Sequence, residues 1–155
     1  MAIRKYKPED RTACIAIFKS NCPEYFDPIE LVGMENWLDG QDKNEITYPT
    51  SAEDHYYVLE HDGKIIACGG FYIMKDKPNA NMVWGMVDKQ YHRQGYGSQL
   101  FQYRLEKIKK IFPQHSATLN TSQHTYRFFM QYGFAVTKIT KDGYGKGLDR
   151  YDMKK

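Results

Sequence analysis

Cysteine is scarce in this 155-residue chain, and the few present point to no metal. Cys14, Cys22 and Cys68 are odd in number and no two form a C-x-x-C pair, which argues against a disulfide framework and a zinc site. Long apolar runs are missing too: the longest, Ile65 to Met74, falls far short of a membrane span. The opening residues, Met1 to Lys7, lack the apolar stretch of a signal peptide, so a cytoplasmic protein with no membrane partner is expected. An excess of one charge is also absent. The net charge of +3 is too small to imply nucleic acid, and the basic residues form no aromatic–basic stripe. No repeat, linker or low-complexity segment interrupts the chain. Residues 1–155 therefore read as one domain, long enough to bury a single core.

What the chain does have is concentrated in residues 83–98, where an apolar strand (Val83 to Val87) runs through a polar turn into Gly95-Tyr96-Gly97 and a long amphipathic helix. Gly95 and Gly97 let the main chain turn sharply and come close to a ligand where a β-carbon would collide. The helix start adds unpaired N–H groups and the positive end of its dipole, which suit a phosphate or pyrophosphate. Two other phosphate-binding turns are excluded by their residues. Leu100 stands where a Rossmann fingerprint needs its third glycine, and the Gly-Lys-Ser/Thr ending of a P-loop is missing.

Around this turn the pattern predicts a first strand at Ile3 to Tyr6 and a helix opening at Pro8-Glu9-Asp10 and broken at Cys22-Pro23. A second helix opens at Pro28, buries Leu31, Met34, Trp37 and Leu38, and ends at Gly40; Gln41 to Asp54 reads as loop. Tyr56 to Leu59 and Ile65 to Met74 flank Asp62-Gly63 as a hairpin, with Gly69-Gly70 marking a bulge or a close backbone approach. Met82 to Val87 is the fourth strand. The helix from Gly95 carries Leu100, Phe101, Leu105, Ile108 and Phe112 on one side and stops at Pro113. Ala117 to Asn120 is a fifth strand, followed by a helix capped by Thr121-Ser122, running through Phe129 and ending at Gly133. Ala135 to Lys141 and Leu148 to Met153 are a last strand pair, joined by a loop at Asp142 to Gly147.

His92-Arg93-Gln94-Gly95-Tyr96-Gly97 resembles motif A of the GNAT superfamily, the acyl-CoA-dependent N-acetyltransferases, which reads Gln/Arg-x-x-Gly-x-Gly/Ala; His92 departs from the usual first residue. Phe128 to Phe134 is similar to that family's Phe-Tyr-x-x-x-Gly-Phe segment, and the element order β-α-α-β-β-β-α-β-α-β-β extends the resemblance over nearly the whole chain. The resemblance implies an α+β fold in α/β/α layers, with a central mixed, mostly antiparallel sheet whose fourth and fifth strands splay apart. It implies acetyl-CoA as co-substrate, no metal, and direct attack on the thioester by a primary amine of a small molecule or peptide; a homodimer is compatible with it. Main-chain groups of Gly85, Met86 and Val87 would hold the pantetheine arm, with Asn120 as a further contact. The amides of Arg93, Gln94, Gly95, Tyr96, Gly97 and Ser98 would take the pyrophosphate, and the Gly85 amide would polarise the thioester carbonyl.

Two residues depart from the family pattern. Asn81 stands where members often carry a basic glutamate, and Phe129 where a tyrosine commonly protonates the departing thiolate. An alkyl ammonium loses its proton at a pKa of ~10.4, so something must accept it, directly or through water, whereas a thiol reference pKa of ~8.5 makes the thiolate a fair leaving group already. Replacement candidates are Tyr126 (an acid, or a core aromatic), His124 (a base, or a solvated first-turn residue) and Tyr144 (an acid, a gate, or neither). Ser122 reads as a pocket residue or a plain helix cap, and Glu30 and Glu35 as a site for a cationic acceptor or an exposed face. With two degenerate positions, a non-catalytic acyl-CoA-binding module is the alternative to an enzyme.

Overall fold

A computed structural model describes residues 2–155. Its seven strands are β1 (Ala2–Lys5), β2 (Ser51–His61), β3 (Lys64–Met74), β4 (Asn79–Val87), β5 (Ser116–Thr121), β6 (Ala135–Gly145) and β7 (Leu148–Lys154). They form one sheet in the order β1-β2-β3-β4-β5-β7-β6, antiparallel throughout except for the β4–β5 pair. Helices α1 (Arg11–Ser20) and α2 (Leu31–Lys43) precede β2, α3 (Tyr96–Ile111) connects β4 to β5, and the short α4 (Tyr126–Met130) follows β5. The Asp-Gly turn is as expected: Asp62 and Gly63 take φ of 50° and 73°, the left-handed pair that matches strand twist in a two-residue hairpin.

Alternation along the central strands divides the core into two layers. Tyr57 and Leu59 of β2 face α3 with Leu100, Phe101, Ile108 and Phe134. Tyr56 and Val58 face α1 and α2 with Cys14, Phe18, Met34, Trp37 and Leu38. Each layer covers one face of the sheet, so the molecule is an α/β/α sandwich of mixed α+β type.

The sheet comes apart in its middle. β4 and β5 are in register only at Asn79–Ser116, Ala80–Ala117 and Asn81–Thr118. Beyond that point β4 continues to Val87 and β5 to Thr121 without pairing to each other. At the last registered pair the Thr118 hydroxyl donates to Asn81 Oδ1 at 2.9 Å and ties the two strands where the gap begins. On the other side of β4 the register against β3 shifts between Cys68 and Gly70, and Trp84 sits at φ 45°, a conformation bulky residues rarely adopt.

Several boundaries differ from the pattern. α2 runs past Gly40 to Lys43 and is ended by Asn44 at φ 56°. Gly40 is a packing residue: a β-carbon there would meet the Thr47 side chain and lie 2.8 Å from the Glu45 carbonyl. β2 begins at Ser51 inside the expected loop, and β4 at Asn79, because cross-strand partners extend both. β6 runs on to Gly145, so that only Lys146 and Gly147 separate it from β7, which begins at Leu148 as expected, and Tyr144 lies near a strand end and not in a loop. α4 is a single short helix from Tyr126, with no side-chain cap from Thr121 or Ser122.

Gly70 is held between strands: a β-carbon there would overlap the His55 carbonyl and lie 2.7 Å from Tyr56 Cδ1. Gly70→Ala is expected to destabilise the protein by about 1–3 kcal/mol through overpacking, read as a lower urea midpoint at unchanged m-value.

Candidate active site

The turn from β4 into α3 presents bare main chain. Arg93 and Gly95 take φ of 62° and 88°, which swings successive amides outward, and Gln99 makes the first bond of the helix, to the Gly95 carbonyl at 3.1 Å. The six N–H groups from Arg93 to Ser98 have no acceptor among the described residues. Such a run at a helix N-terminus is an anion cradle. Gly97 faces Val87, where a β-carbon would make ordinary contact at 3.6 Å with Val87 Cγ2. Arg93 opens this run, while the nearby Lys89 is paired with Glu24 at 3.4 Å.

From this turn the unpaired edge of β4 leads back to the bulge. Val87 directs its carbonyl away from β3, where it accepts from Asn21 Nδ2 at 2.9 Å and meets His92 Nε2 at 2.9 Å. Met86 is buried against the α1/α2 layer, while Gly85 is exposed on the open edge. Tyr56 donates its hydroxyl to the Trp84 carbonyl at 2.9 Å and pins the bulge from below. Trp84 is enclosed by Phe18, Phe26 and Gly33, and its indole N–H donates to the Tyr48 hydroxyl at 3.0 Å.

A side chain that the sequence reading passed over lies behind Gly85. Arg104 of α3 is 5% exposed; its Nε and Nη2 donate to the Gly70 carbonyl at 3.2 and 2.8 Å, and Nη2 reaches the Val83 carbonyl at 3.4 Å. The signal was there: Arg104 falls between Phe101 and Ile108 on the apolar stripe of α3, where a charge is out of place. Burial pushes its pKa down to about 10, so it keeps its charge at neutral pH.

The sequence-derived catalytic candidates scatter around the gap. Phe129 packs on Phe101 with ring centres 5.0 Å apart. Tyr126 stacks on Tyr151 at 4.6 Å, and its oxygen accepts from Arg127 Nε at 3.2 Å, leaving its own proton uncommitted. His124 is exposed beyond β5, and Tyr25 lies between its ring and that of His92, at 6.1 and 5.3 Å. Tyr144 donates a short hydrogen bond to Asn120 Oδ1, and burial raises its phenol well above the ordinary value. Ser122 is buried, with its hydroxyl accepting from the His124 amide at 3.3 Å.

On the acceptor side the β6–β7 hairpin folds toward the start of α2. Gly145 lies against the Asp27 carboxylate, and Tyr144 stands close enough to Glu30 to feel its charge. Glu30 Oε2 accepts from the Asp27 amide at 3.0 Å in a reciprocal capping box. Burial pushes the Glu30 carboxyl up to about 7, which poises it as a base at neutral pH. No cluster suited to a metal occurs among the described residues, and no helix there is long and apolar enough to cross a membrane.

The model for the acetyltransferase (GNAT) domain matches residues 52–136, just over half of the chain, spanning β2 to β6 and the whole turn described above. This chain belongs to the GNAT family. Its fold is shared with the ribosomal-protein-alanine N-acetyltransferase of Brucella melitensis (TM-score 0.75, 15% identity, covering 100% of this chain and 99% of that one). It is shared equally with the ribosomal-protein-S18-alanine N-acetyltransferase of Escherichia coli (TM-score 0.75, 18% identity, 99% and 91%). A third similar structure is yncA of Salmonella typhimurium, solved with its cofactor acetyl-CoA (TM-score 0.74, 15% identity, 100% and 92%). No curated protein matches the chain significantly. The chain is thus a GNAT acetyltransferase with the family's seven-stranded sheet, and acetyl-CoA is the family's cofactor.

Gly97→Trp puts an indole into the amide cradle of this GNAT domain while leaving the core untouched. It is expected to abolish CoA binding in isothermal titration calorimetry with the melting temperature nearly unchanged; parental affinity would remove the turn from the cofactor site.

Proposed function

We propose that this GNAT domain transfers the acetyl group of acetyl-CoA to a primary amine of a small molecule or peptide. The observation that carries the reading is the unpaired β4 edge running from Gly85 to Val87 into six free amides, Arg93 to Ser98, which together fit an arm ending in a diphosphate. Bound acetyl-CoA supplies an activated acyl group: an N–C bond forms to the amine as the C–S bond breaks.

The remaining roles fall to this chain. The Arg93–Ser98 amides are assigned to the diphosphate, Asn120 lines the far strand, and the Gly85 amide is assigned to the acyl oxygen. Asn81 is tied to Thr118 and is no base. Glu30, its carboxyl raised to about 7, accepts the proton that the amine must lose. Tyr126, with its hydroxyl hydrogen uncommitted, is the candidate donor to the departing sulfur. The acidic pair Asp27 and Glu30 beside Tyr144 favours a cationic acceptor, and His124 and Tyr144 border its approach.

The test is release of free CoA from acetyl-CoA with a panel of primary amines. Turnover with one of them supports the enzyme; tight CoA binding with none across the panel makes the domain a binding module. Glu30→Gln keeps the capping acceptor and removes the base. It is expected to lower kcat/KM by ~10²–10⁴-fold and to erase the fall in rate below about pH 7, with CoA affinity unchanged. Stability moves the other way. A carboxyl raised in the folded state contributes stability below its ordinary range and loses it as pH rises through about 7. Glu30→Gln therefore melts higher than the parent at pH 8. Tyr126→Phe is expected to slow turnover without weakening CoA binding; parental rates would return Tyr126 to the core.

A further inference from the structure

Two charged side chains are buried among the described residues. Asp10 is paired with Arg4 at 2.8 Å, whereas Arg104 faces only carbonyls and the Phe101 ring, 5.7 Å from its centre. A desolvated cation without a counter-ion is costly, and it persists where something in the molecule's work uses it. Three glycines make room for it. A β-carbon on Gly69 would lie 3.0 Å from Arg104 Nη1, one on Gly85 only 2.7 Å, and Gly70 supplies the carbonyl that holds Nε and Nη2.

The guanidinium's bonds are unevenly used. Nε and Nη2 are taken by Gly70 and Val83, while Nη1 has no acceptor among the described residues. Nη1 is also the atom that a β-carbon on Gly85 would meet first, and Gly85 is exposed on β4 beyond the last β4–β5 pair. A positively charged donor with no acceptor among the described residues thus stands on the side-chain side of Gly85.

We propose that Arg104 Nη1 donates a hydrogen bond to the carbonyl oxygen of the acyl group held beside Gly85, so that this oxygen is bound by a buried cation as well as by a main-chain amide. The proposal rests on the acetyl-CoA reading and assigns Arg104 as a further catalytic residue for it. A fixed charge in a desolvated site acts most strongly on an oxygen whose negative charge grows during reaction. That helps a site with asparagine at position 81 and phenylalanine at 129. The geometry favours a single oxygen over a carboxylate on a longer acyl chain, because a carboxylate is best held by donors on two nitrogens and two are already engaged.

Calorimetric binding of two unreactive probes tests this without turnover: the ketone analogue of acetyl-CoA, with CH2 in place of sulfur, and the thioether S-ethyl-CoA, which lacks the carbonyl. The parent protein is expected to prefer the ketone by about tenfold or more, the range of a hydrogen bond to a charged group. Arg104→Met is expected to reduce that preference to about threefold or less while keeping its affinity for CoA, and Arg104→Lys to retain an intermediate preference. Equal binding of the two probes by the parent, or an undiminished preference in Arg104→Met, overturns the proposal and leaves the acetyl-CoA reading intact. Should Arg104→Met not fold, the parent and Arg104→Lys comparisons decide. A parent that binds succinyl-CoA tenfold tighter than the ketone, with the gain lost in Arg104→Met, assigns the cation to an acyl carboxylate instead. A parent that binds no CoA at all removes both readings.

Discussion

The pairing of β4 with β5 ends at Asn81 and Thr118, and the rest of the molecule is arranged around that interruption. A parallel pair in the middle of a sheet would ordinarily continue as far as both strands do. Here β4 bulges at Trp84 against β3, and β5 turns toward β7, so the two diverge from a common apex. The apex is secured by three registered pairs, by the Thr118–Asn81 hydrogen bond and by α3, whose apolar side packs across the strands beneath. The same interruption places a free strand edge directly upstream of the amides that open α3. Cleft and anion cradle are therefore one continuous main-chain surface.

The bulge and the buried cation are two sides of one solution. Left-handed backbone at Trp84 turns the indole into an aromatic nest of Phe18, Phe26 and Tyr48 on one face of the sheet. On the other face the bulge leaves room beside Gly85, and Arg104 fills it. Tyr56 and Arg104 then hold the Trp84 and Val83 carbonyls from opposite sides, so the main chain at the bulge is braced above and below. Preorganisation of this kind matters most where donors must be in place before charge develops.

Much of this was legible in the residues, for reasons that differ by element. Gly95 before an amphipathic stripe marks the turn because its left-handed backbone suits few other residues, while Gly97 is helical and a β-carbon there would make only ordinary contact with Val87. Asp62-Gly63 fixes its hairpin through local conformation alone. The misread boundaries lie where tertiary contacts decide: Gly40 serves packing under Thr47, and β6 continues to Gly145 because it finds a partner in β7 at Leu148. Arg104 advertised itself as a charge on an apolar stripe, yet its partners Gly69, Gly70 and Gly85 come from two strands brought together only by the fold. Glu30 was visible as an acid on a helix start, but its raised pKa depends on burial that no local pattern encodes.

A sheet that opens in its interior acquires two raw edges where none would otherwise exist, and exposed edges invite pairing with other chains. At Val87 this chain has an answer. The carboxamide of Asn21, buried at the end of α1, donates to the Val87 carbonyl much as a peptide group of a neighbouring strand would, and His92 approaches the same oxygen. One side chain thus impersonates a missing rung of the ladder. The protein guards its own seam at the place where a partner's backbone could otherwise zip into the sheet.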